Sequence, residues 1–282
     1  MPIITLTSDL GDSSHYPAVL KGVMYARAPK ATIVDVTHNV PNFDTMSAAY
    51  ILRSVYGAYP AGTVHVLAVD PDSTAQVAGI VVRHANQYFV APDSGVMSLI
   101  SEGRHTACVE IQNESLLNHH YPKSFRAARM FAPVAAFLAS GGNMNEIGHA
   151  TQMRDLKWGE PTYSGSSLRG KIIHIDKFGN AVTNIRKEDF MRIKNERGFE
   201  IILRNVRLKR IVSTYADVAK GDAVAIFNAS QHLEVAMREQ NAAELFGLKV
   251  HDMITIEFKG VSAAESQAGS SLLQSVADFI GG

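Results

Sequence analysis

Residues 63–76, TVHVLAVDPDSTAQ, predict a buried strand that ends at an acidic turn. The strand is the mostly apolar run from Val64 to Val69, which is typical of a strand covered on both faces. Pro71 cannot donate a hydrogen bond to a sheet ladder, so the strand must end at Asp70. Open parallel sheets bind ligands beyond the carboxyl ends of their strands, and Asp70 is therefore a candidate site residue.

Three further apolar runs end in the same way, at Asp9, Asp35 and Asp93. A single aspartate in this position is usually a turn or helix cap. Four of them along one predicted sheet edge indicate a ligand-binding cleft. Two interpretations of Asp9 stay open, because a carboxylate can accept hydrogen bonds from both hydroxyls of a ribose or can cap the turn that follows.

The composition indicates a sizeable core and no polyanionic partner. The chain has 282 residues, 46% of them hydrophobic, and 27 basic residues balance 27 acidic ones. Nucleic-acid and membrane-surface binders usually carry a basic excess. The single cysteine, Cys108, cannot form an internal disulfide, and its apolar surroundings predict a buried, inert thiol. The chain begins with a strand-like segment and has no apolar run of about 18 residues, so we expect a soluble cytoplasmic protein.

Strand-like and helix-like segments alternate up to about residue 158. Helices are predicted over residues 16–27, 44–57 and 129–140, and Asp44 is expected to cap the second of them. The segments AGIVVRH and QYFVA are expected to pair as a hairpin across Ala85 and Asn86. This order predicts an α/β domain with a mostly parallel sheet.

The character of the sequence changes in residues 153–170, which we interpret as a linker with the domain boundary near residue 165. Short predicted strands follow: KIIHID, AVTNI, FEIILRNVRL, RIVSTYA, DAVAIFN, HLEVAM and HDMITIEF. Their spacing indicates a small antiparallel barrel or sandwich. The expected organisation is an α/β domain over residues 1–165, a β-domain over 166–260 and a flexible tail over 261–282.

Metal and phosphate chemistry find weak support in the motifs. The histidines at positions 38, 65 and 84 lack metal-binding spacing, so turn or core roles are favoured. Asp70 and Asp72 have a spacing that could hold Mg²⁺ in a phosphohydrolase, but the intervening proline and the missing downstream motif disfavour it.

The segment IDKFGNAVTNI allows two interpretations. It is either a tight hairpin with internally bonded Asn side chains or a clamp for an amino acid.

Seven segments resemble, in order, the S-adenosylmethionine hydroxide adenosyltransferases and the related chlorinases and fluorinases. They are SDLGDSSHYPAVLKGVMY, IVDVTHNVPNFD, YPAGTVHVLAVDP, YFVAPDSG, SFRAARMFAPVAAFLASG, IDKFGNAVTNI and FNASQHLEVAMREQNAAELFGL. Agreement of seven segments in order is specific, whereas one alone would not be.

The resemblance implies an N-terminal, mostly parallel α/β sandwich domain and a smaller C-terminal antiparallel β-barrel domain. It also implies a homotrimer with active sites between the N-terminal domain of one subunit and the C-terminal domain of its neighbour. The implied reaction is displacement of methionine from the ribose 5′ carbon of S-adenosylmethionine by water or halide, without a metal or other cofactor. S-adenosylmethionine or adenosine would be the partner, with no nucleic acid or membrane.

The resemblance also implies a set of substrate-binding residues: Asp9, Ser14, Phe43, Asp176, Phe178, Asn180, Tyr215 and Ser230. Asp9 would hold the ribose hydroxyls and Phe43 would pack near the sugar. Tyr215 would stack on adenine. Asp176, Asn180 and Ser230 would hold the methionine amino and carboxylate groups.

The implied catalytic residues depart from the pattern of the hydroxide-transferring branch, which places Asp, Arg and His around the attacking water. The Asp is present as Asp70, and it is usually missing from the halogenase branch. The Arg position falls in a shortened loop that offers Gln76, and the His position holds Arg126. Ser14 replaces the usual Asp of the first loop.

We therefore predict a hydrolase that converts S-adenosylmethionine and water to adenosine and methionine, with Arg126 pairing with Asp70. The alternatives are a weak or inactive S-adenosylmethionine or adenosine binder and a halide-using adenosyltransferase.

Overall fold

The computed structural model describes residues 1–70 and 77–259, so Gln76 and the tail predicted for 261–282 lie outside the described part. The chain divides into two compact units, Met1–Trp158 and Gly159–Gly282. The division falls inside the segment 153–170 that was predicted as the linker. Within the described residues, no helix is both long and apolar enough to cross a membrane.

The first unit alternates strands and helices. Its strands are β1 Ile3–Ser8, β2 Thr32–Thr37, β3 Val64–Ala68, β4 Gly79–His84, β5 Gln87–Pro92 and β6 Ala107–Glu110. Its α-helices are α1 Tyr16–Arg27, α2 Thr45–Val55, α3 Val96–Ser101 and α4 Ala132–Ala139. The predicted cap of α2 is confirmed, because Asp44 Oδ1 accepts a hydrogen bond of 2.9 Å from the backbone N–H of Ser47.

The strands of the first unit form one sheet in the order β2-β1-β3-β5-β4-β6. β2, β1, β3 and β5 run parallel, and β4 pairs antiparallel with both β5 and β6. The predicted hairpin is confirmed, and Ala85 and Asn86 form its turn with φ of 50° and 60°. The carboxyl ends of β1, β2, β3 and β5 therefore share one edge.

Helices cover both faces of this sheet. One apolar core joins Ile4 and Leu6 of β1 to Leu20 and Met24 of α1 and to residues of α4. A second core joins Leu67 of β3 to residues of α2 and α3 on the opposite face. The N-terminal α/β sandwich is thus confirmed, because burial on both faces is what the continuous apolar run after residue 63 requires.

The second unit is built around one antiparallel sheet. Its strands are β7 Thr162–Ser164, β8 Ser167–Ile175, β9 Ala181–Arg186, β10 Gly198–Leu203, β11 Val206–Leu208, β12 Ala223–Phe227, β13 His232–Met237 and β14 Met253–Lys259. The order is β11-β10-β14-β8-β9-β13-β12, with β7 paired to β8. The outer strands β11 and β12 approach each other, so the sheet is a nearly closed barrel around one apolar core. This confirms the predicted barrel class.

Three local predictions for this sequence need correction. The segment RIVSTYA is not a strand, because it makes a single bridge from Val212 to Ile226 and then a 3₁₀ turn over Tyr215–Asp217. Two helices were missed, α5 Lys187–Lys194 and α6 Ala242–Phe246. The predicted helix over 129–140 begins as a π-helical turn, Ala127–Phe131, and continues as α4.

Candidate active site

Asp9 connects three loops at the carboxyl edge of the first unit's sheet. Its Oδ2 accepts hydrogen bonds from the backbone N–H groups of Phe43, at 3.1 Å, and Asp70, at 3.3 Å. Among the described residues, none donates a hydrogen bond to the other oxygen, Oδ1. The carboxylate is therefore held in place by one oxygen, and the second can accept a hydrogen bond from a ligand.

The two residues that Asp9 holds both have positive φ, 65° at Phe43 and 45° at Asp70. Residues with a Cβ adopt this conformation at a cost of about 1–2 kcal/mol each, so it persists where the surroundings stabilise it. The bonds to Asp9 provide such stabilisation. The side chain of Phe43 is 72% exposed, so an aromatic ring stands in solvent beside the anchored carboxylate.

The electrostatics of this edge act on Asp70. Burial raises the pKa of the Asp70 carboxyl, and the negative charge of Asp9 raises it further. A carboxylate with a raised pKa accepts a proton more readily than an ordinary aspartate does. This property suits a group that takes a proton from water during a displacement.

Of the other residues predicted for this part of the site, Ser14 lies in the loop that follows β1, and Arg126 lies in the segment before helix α4. The Ser14 hydroxyl donates to the carbonyl oxygens of Leu10, at 2.7 Å, and Gly11, at 3.1 Å, so it closes the loop that follows Asp9. Arg126 lies directly before the π-helical turn. Turns of this kind are frequent at functional sites.

Two of the four strand-terminal aspartates have structural roles. Asp35 binds Lys21 at 2.5 Å and His38 at 3.1 Å. Asp93 Oδ1 accepts a hydrogen bond of 2.7 Å from the backbone N–H of Arg154. The edge predicted from four carboxylates is therefore formed, but only Asp9 and Asp70 are joined to each other by a hydrogen bond.

The second unit has a pocket of about 780 Å³, within the usual range for small-molecule sites. Three segments line it, and they contribute Asp176, Phe178, Asn180, Tyr215, Ala216, Met237, Arg238, Glu239, Gln240 and Asn241. Four of the five substrate-binding residues predicted for this unit thus surround one cavity. The fifth, Ser230, is not among the lining residues and lies in the turn between β12 and β13.

Asp176 organises the turn that forms one wall of this pocket. Its carboxylate accepts hydrogen bonds from the backbone N–H groups of Phe178 and Asn180, each at 2.9 Å, and from Asn180 Nδ2 at 3.0 Å. Gly179 supplies the positive φ of 81° that the turn requires. The internally bonded hairpin is therefore present, and one lone pair of Asp176 Oδ2 is left for a ligand such as an ammonium group.

Tyr215 forms another wall, and a buried glutamate that the sequence analysis missed holds it. The Tyr215 hydroxyl donates to Glu234 Oε1 at 2.6 Å, and Asn228 Nδ2 donates to Glu234 Oε2 at 3.1 Å. Glu234 is 4% exposed. Asn228 Oδ1 also accepts from the backbone N–H of Ser230 at 3.0 Å, so the turn that carries Ser230 is connected to the ring of Tyr215.

The segment from Met237 to Asn241 was also missed as a source of site residues. Arg238 Nη1 donates to the carbonyl oxygens of Val218, at 2.6 Å, and Ala216, at 3.3 Å, and so holds the loop next to Tyr215. A sequence signal was available for Asn241, because an Asn before the helical run AAELF is a typical N-cap. Its Oδ1 accepts from the backbone N–H of Glu244 at 3.0 Å.

The histidines have the structural roles that their spacing predicted. His65 is fully buried between Thr5 and Gln87, and His84 contacts the Tyr56 hydroxyl at 3.3 Å. Within the described ranges, no group of three or more His, Cys, Asp or Glu side chains is placed to hold a metal ion. Asp72, which the phosphohydrolase alternative needs, lies outside those ranges.

Known proteins match the chain along most of its length. An (R)-S-adenosyl-L-methionine hydrolase of Thermus thermophilus is 31% identical, covering 86% of this chain and 94% of that protein. A fluorinase of an Actinoplanes species is 27% identical, covering 90% and 97%. A crystal structure of a conserved protein from Thermotoga maritima superposes with a TM-score of 0.82 and 29% identity, covering 91% of this chain and 99% of that one.

Two family models match the sequence in the order of the two units. The model of the SAM hydroxide adenosyltransferase N-terminal domain matches residues 4–148, and that of the C-terminal domain matches residues 170–255. Because the two matches together cover most of the chain, this protein belongs to the SAM hydroxide adenosyltransferase family.

Proposed function

We propose that this protein hydrolyses S-adenosylmethionine to adenosine and methionine. The observation that carries the proposal is the pair of carboxylates at the sheet edge, with Asp9 anchored by one oxygen and Asp70 next to it with a raised pKa. The hydrolase relative, which aligns along most of the chain, supports the same reaction.

In the proposed reaction, a water oxygen attacks the ribose 5′ carbon from the side opposite the sulfonium. The C5′–O bond forms as the C5′–S bond breaks, and the electron pair of the broken bond leaves with sulfur as neutral methionine. The proton released by the water passes to Asp70. The sulfonium is already an activated leaving group, so the protein must chiefly orient and partly desolvate the water.

The substrate-binding residues keep the roles expected from the family resemblance. Asp9 accepts the ribose hydroxyls through Oδ1, and Phe43 covers the sugar. The ring of Tyr215, whose hydroxyl is bonded to Glu234, stacks on adenine. Asp176, Asn180 and the turn of Ser230 hold the methionine end, while Ser14 keeps the first loop closed and Phe178 shields the pocket. We further propose that Arg126 orients the water together with Asp70.

Turnover of S-adenosylmethionine, followed as adenosine release, tests the proposal. Because the relative is named for the (R) form, each diastereomer is assayed separately. Asp70→Asn should lower kcat by roughly 10²–10⁴-fold and leave adenosine affinity unchanged. In the wild type, kcat/KM should fall as the pH drops through the pKa of Asp70, above the ordinary value of 3.8. Saturable binding without turnover in the wild type would instead identify a binding protein.

Arg126 has a matched control in the same helical segment. Arg126→Ala should lower kcat by roughly tenfold or more if its charge orients the water. Arg129 contacts the Tyr121 carbonyl and His119. Arg129→Ala should therefore leave kcat unchanged. Equal effects of the two variants would remove Arg126 from the mechanism.

The fluorinase relative makes halide use a second candidate reaction. A carboxylate at Asp70 repels an approaching anion, which favours water over halide. Incubation with fluoride or chloride should therefore yield adenosine and no 5′-halogenated nucleoside. A halogenated product would reverse this assignment.

The family resemblance also supports a cofactor-free homotrimer, and we propose that it acts in the cytoplasm. Light scattering should give about three times the chain mass of 30.6 kDa. Turnover should be unchanged after treatment with a chelator, because the reaction needs no metal.

A further inference from the structure

A chain of side-chain hydrogen bonds joins helix α1 to the end of strand β1 by way of strand β2. Lys21 donates to Asp35 Oδ2 at 2.5 Å, and Asp35 Oδ1 lies 3.1 Å from His38 Nε2. His38 Nδ1 lies 2.7 Å from Ser8 Oγ. Ser8 and His38 are 1% and 3% exposed. The buried end of the chain is thus the residue directly before Asp9.

The chemistry of the four groups defines which of them donates. Burial acts to raise the pKa of Asp35, but its contacts with Lys21 and His38 outweigh this effect and lower the pKa. An ionised carboxylate only accepts, so Nε2 of His38 donates to Asp35. In the imidazole tautomer that carries its proton on Nε2, Nδ1 accepts the hydrogen bond from the Ser8 hydroxyl.

A chain of Ser, His and Asp also occurs in hydrolases, where the serine is a nucleophile. Ser8 does not fit that role, because with 1% exposure its Oγ cannot be reached by a substrate. Because water is the nucleophile of the proposed reaction, the hydrogen-bonded side chains take part in no covalent step. Their contribution must therefore come through the residues that they hold.

This chain of hydrogen bonds holds together the loop after β1 and the loop after β2, beyond the point where regular pairing of the two strands ends. The pairing of β1 with β2 becomes irregular between Leu6 and Thr7. Beyond that point the N–H of Gly11 donates to the His38 carbonyl at 2.7 Å, and the N–H of Val40 donates to the Ser8 carbonyl at 3.2 Å. The Ser8–His38 side-chain bond is a further link between the same two loops, and it is the buried one, whereas the Asp12–Asn39 bonds are exposed.

We propose that the chain Lys21–Asp35–His38–Ser8 positions the Asp9 carboxylate for its bonds to the backbone of Phe43 and Asp70. Ser8 and His38 are positioning residues for the ribose-binding carboxylate. The loop after β1 carries Asp9, and the loop after β2 carries Phe43, so a change in their spacing alters the bond between them. The part of the inference that concerns ribose rests on the proposed function, whereas the positioning of Asp9 does not.

A matched pair of variants tests the proposal, because β1 contains a second buried hydroxyl–imidazole bond. Thr5 Oγ1 lies 2.7 Å from His65 Nδ1, the same distance as in the Ser8–His38 pair. Ser8→Ala and Thr5→Ala each remove the hydroxyl partner of a buried histidine. Both should lower the stability of the protein, but only the first removes a bond next to Asp9.

The decisive readout is hydrogen exchange at the backbone amides of Phe43 and Asp70, which requires no ligand. In Ser8→Ala these amides should exchange roughly fivefold faster, as expected for the loss of one hydrogen bond. In Thr5→Ala they should exchange within about twofold of the wild-type rate. In Asp9→Ala the amides are already released, so adding Ser8→Ala should change their exchange by less than about twofold.

Lys21→Met, at the exposed end of the chain, provides a second variant with little risk to folding. It should accelerate exchange of the same amides by roughly twofold. Unchanged exchange in Ser8→Ala, or equal acceleration in Thr5→Ala, would overturn the proposal.

Adenosine affinity links the positioning to the ligand. Ser8→Ala should weaken adenosine binding roughly fivefold, and Thr5→Ala should leave it unchanged. If the wild-type protein binds no adenosine, the proposed function fails, and the exchange rates still decide whether the chain positions Asp9.

Discussion

Replacing Gly179 by alanine should destabilise the turn that lines the pocket of the second unit. The cost should exceed that of placing alanine at a positive φ. Gly179 has a φ of 81°, and an added Cβ would lie 1.8 Å from Asn241 Oδ1 and 2.3 Å from its Cγ. Asn241 cannot move freely, because the same oxygen caps helix α6 through the N–H of Glu244. The substitution therefore forces a backbone conformation unsuited to alanine and also displaces a helix cap.

Gly221 separates these two costs. Its φ is 82°, and no atom lies within 4 Å of an added Cβ, so Gly221→Ala carries the backbone cost alone. That cost is about 1 kcal/mol. Gly179→Ala adds overpacking and the loss of the cap, which brings its cost to roughly 3 kcal/mol.

Urea unfolding of the two variants measures the difference in the free energy of unfolding. We expect Gly179→Ala to lose roughly 2 kcal/mol more than Gly221→Ala. Adenosine binding should also weaken only in Gly179→Ala, because its turn lines the pocket. Equal destabilisation of the two variants would show that Asn241 yields without cost and would refute the reasoning.

Three further predictions concern charge and burial. Asp9→Ala should weaken adenosine binding by roughly 10–100-fold, the loss expected for hydrogen bonds to a charged group. Asp155→Ala removes the same charge from an exposed residue of the first unit whose side chain makes no hydrogen bond among the described residues. It should not weaken binding, and equal losses would argue against a specific role for Asp9. Burial lowers the pKa of His65 to about 4 from 6.5, so stability is complete above pH 6.5 and falls as the pH drops towards 4. The free energy of unfolding falls by roughly 3 kcal/mol over this pH range. Urea titrations at several pH values should show no such fall for a His65→Gln variant. Burial raises the pKa of Cys108 to about 11, so a thiol reagent at pH 8 should label it only on unfolding. Rapid labelling of the native protein would contradict the buried position.

The sequence predicted those elements whose pattern is local. Helix α1 has its buried residues at helical spacing, and helix α2 begins after an aspartate that caps it. The hairpin across Ala85 and Asn86 follows from two apolar runs joined by two residues. Local signals failed for RIVSTYA, whose β-favouring residues form a 3₁₀ turn after one bridge. Tertiary contacts override propensity there, because a strand gains stability only from partners along its length.

The residues of the candidate site also divide into those that the sequence could indicate and those that only tertiary contacts reveal. Asp9, Asp70, Asp176 and Tyr215 could be named from segments that resemble a family. Glu234 and Arg238 could not, because their importance lies in hydrogen bonds to Tyr215 and to the loop that carries it. A buried glutamate within a strand has no distinctive sequence signal, and its partner is far away in the chain.

By itself, the sequence determined the class of both units and the edge at which the carboxylates gather, because burial periodicity and chain breaks are properties of neighbouring residues. Only the tertiary structure decided which carboxylates are committed to structural partners. Asp35 meets a lysine from α1, and Asp93 meets a backbone amide 61 positions away, whereas one oxygen of Asp9 accepts no hydrogen bond from the described residues. These outcomes depend on strand order and loop spacing, which bring together groups that are distant in sequence.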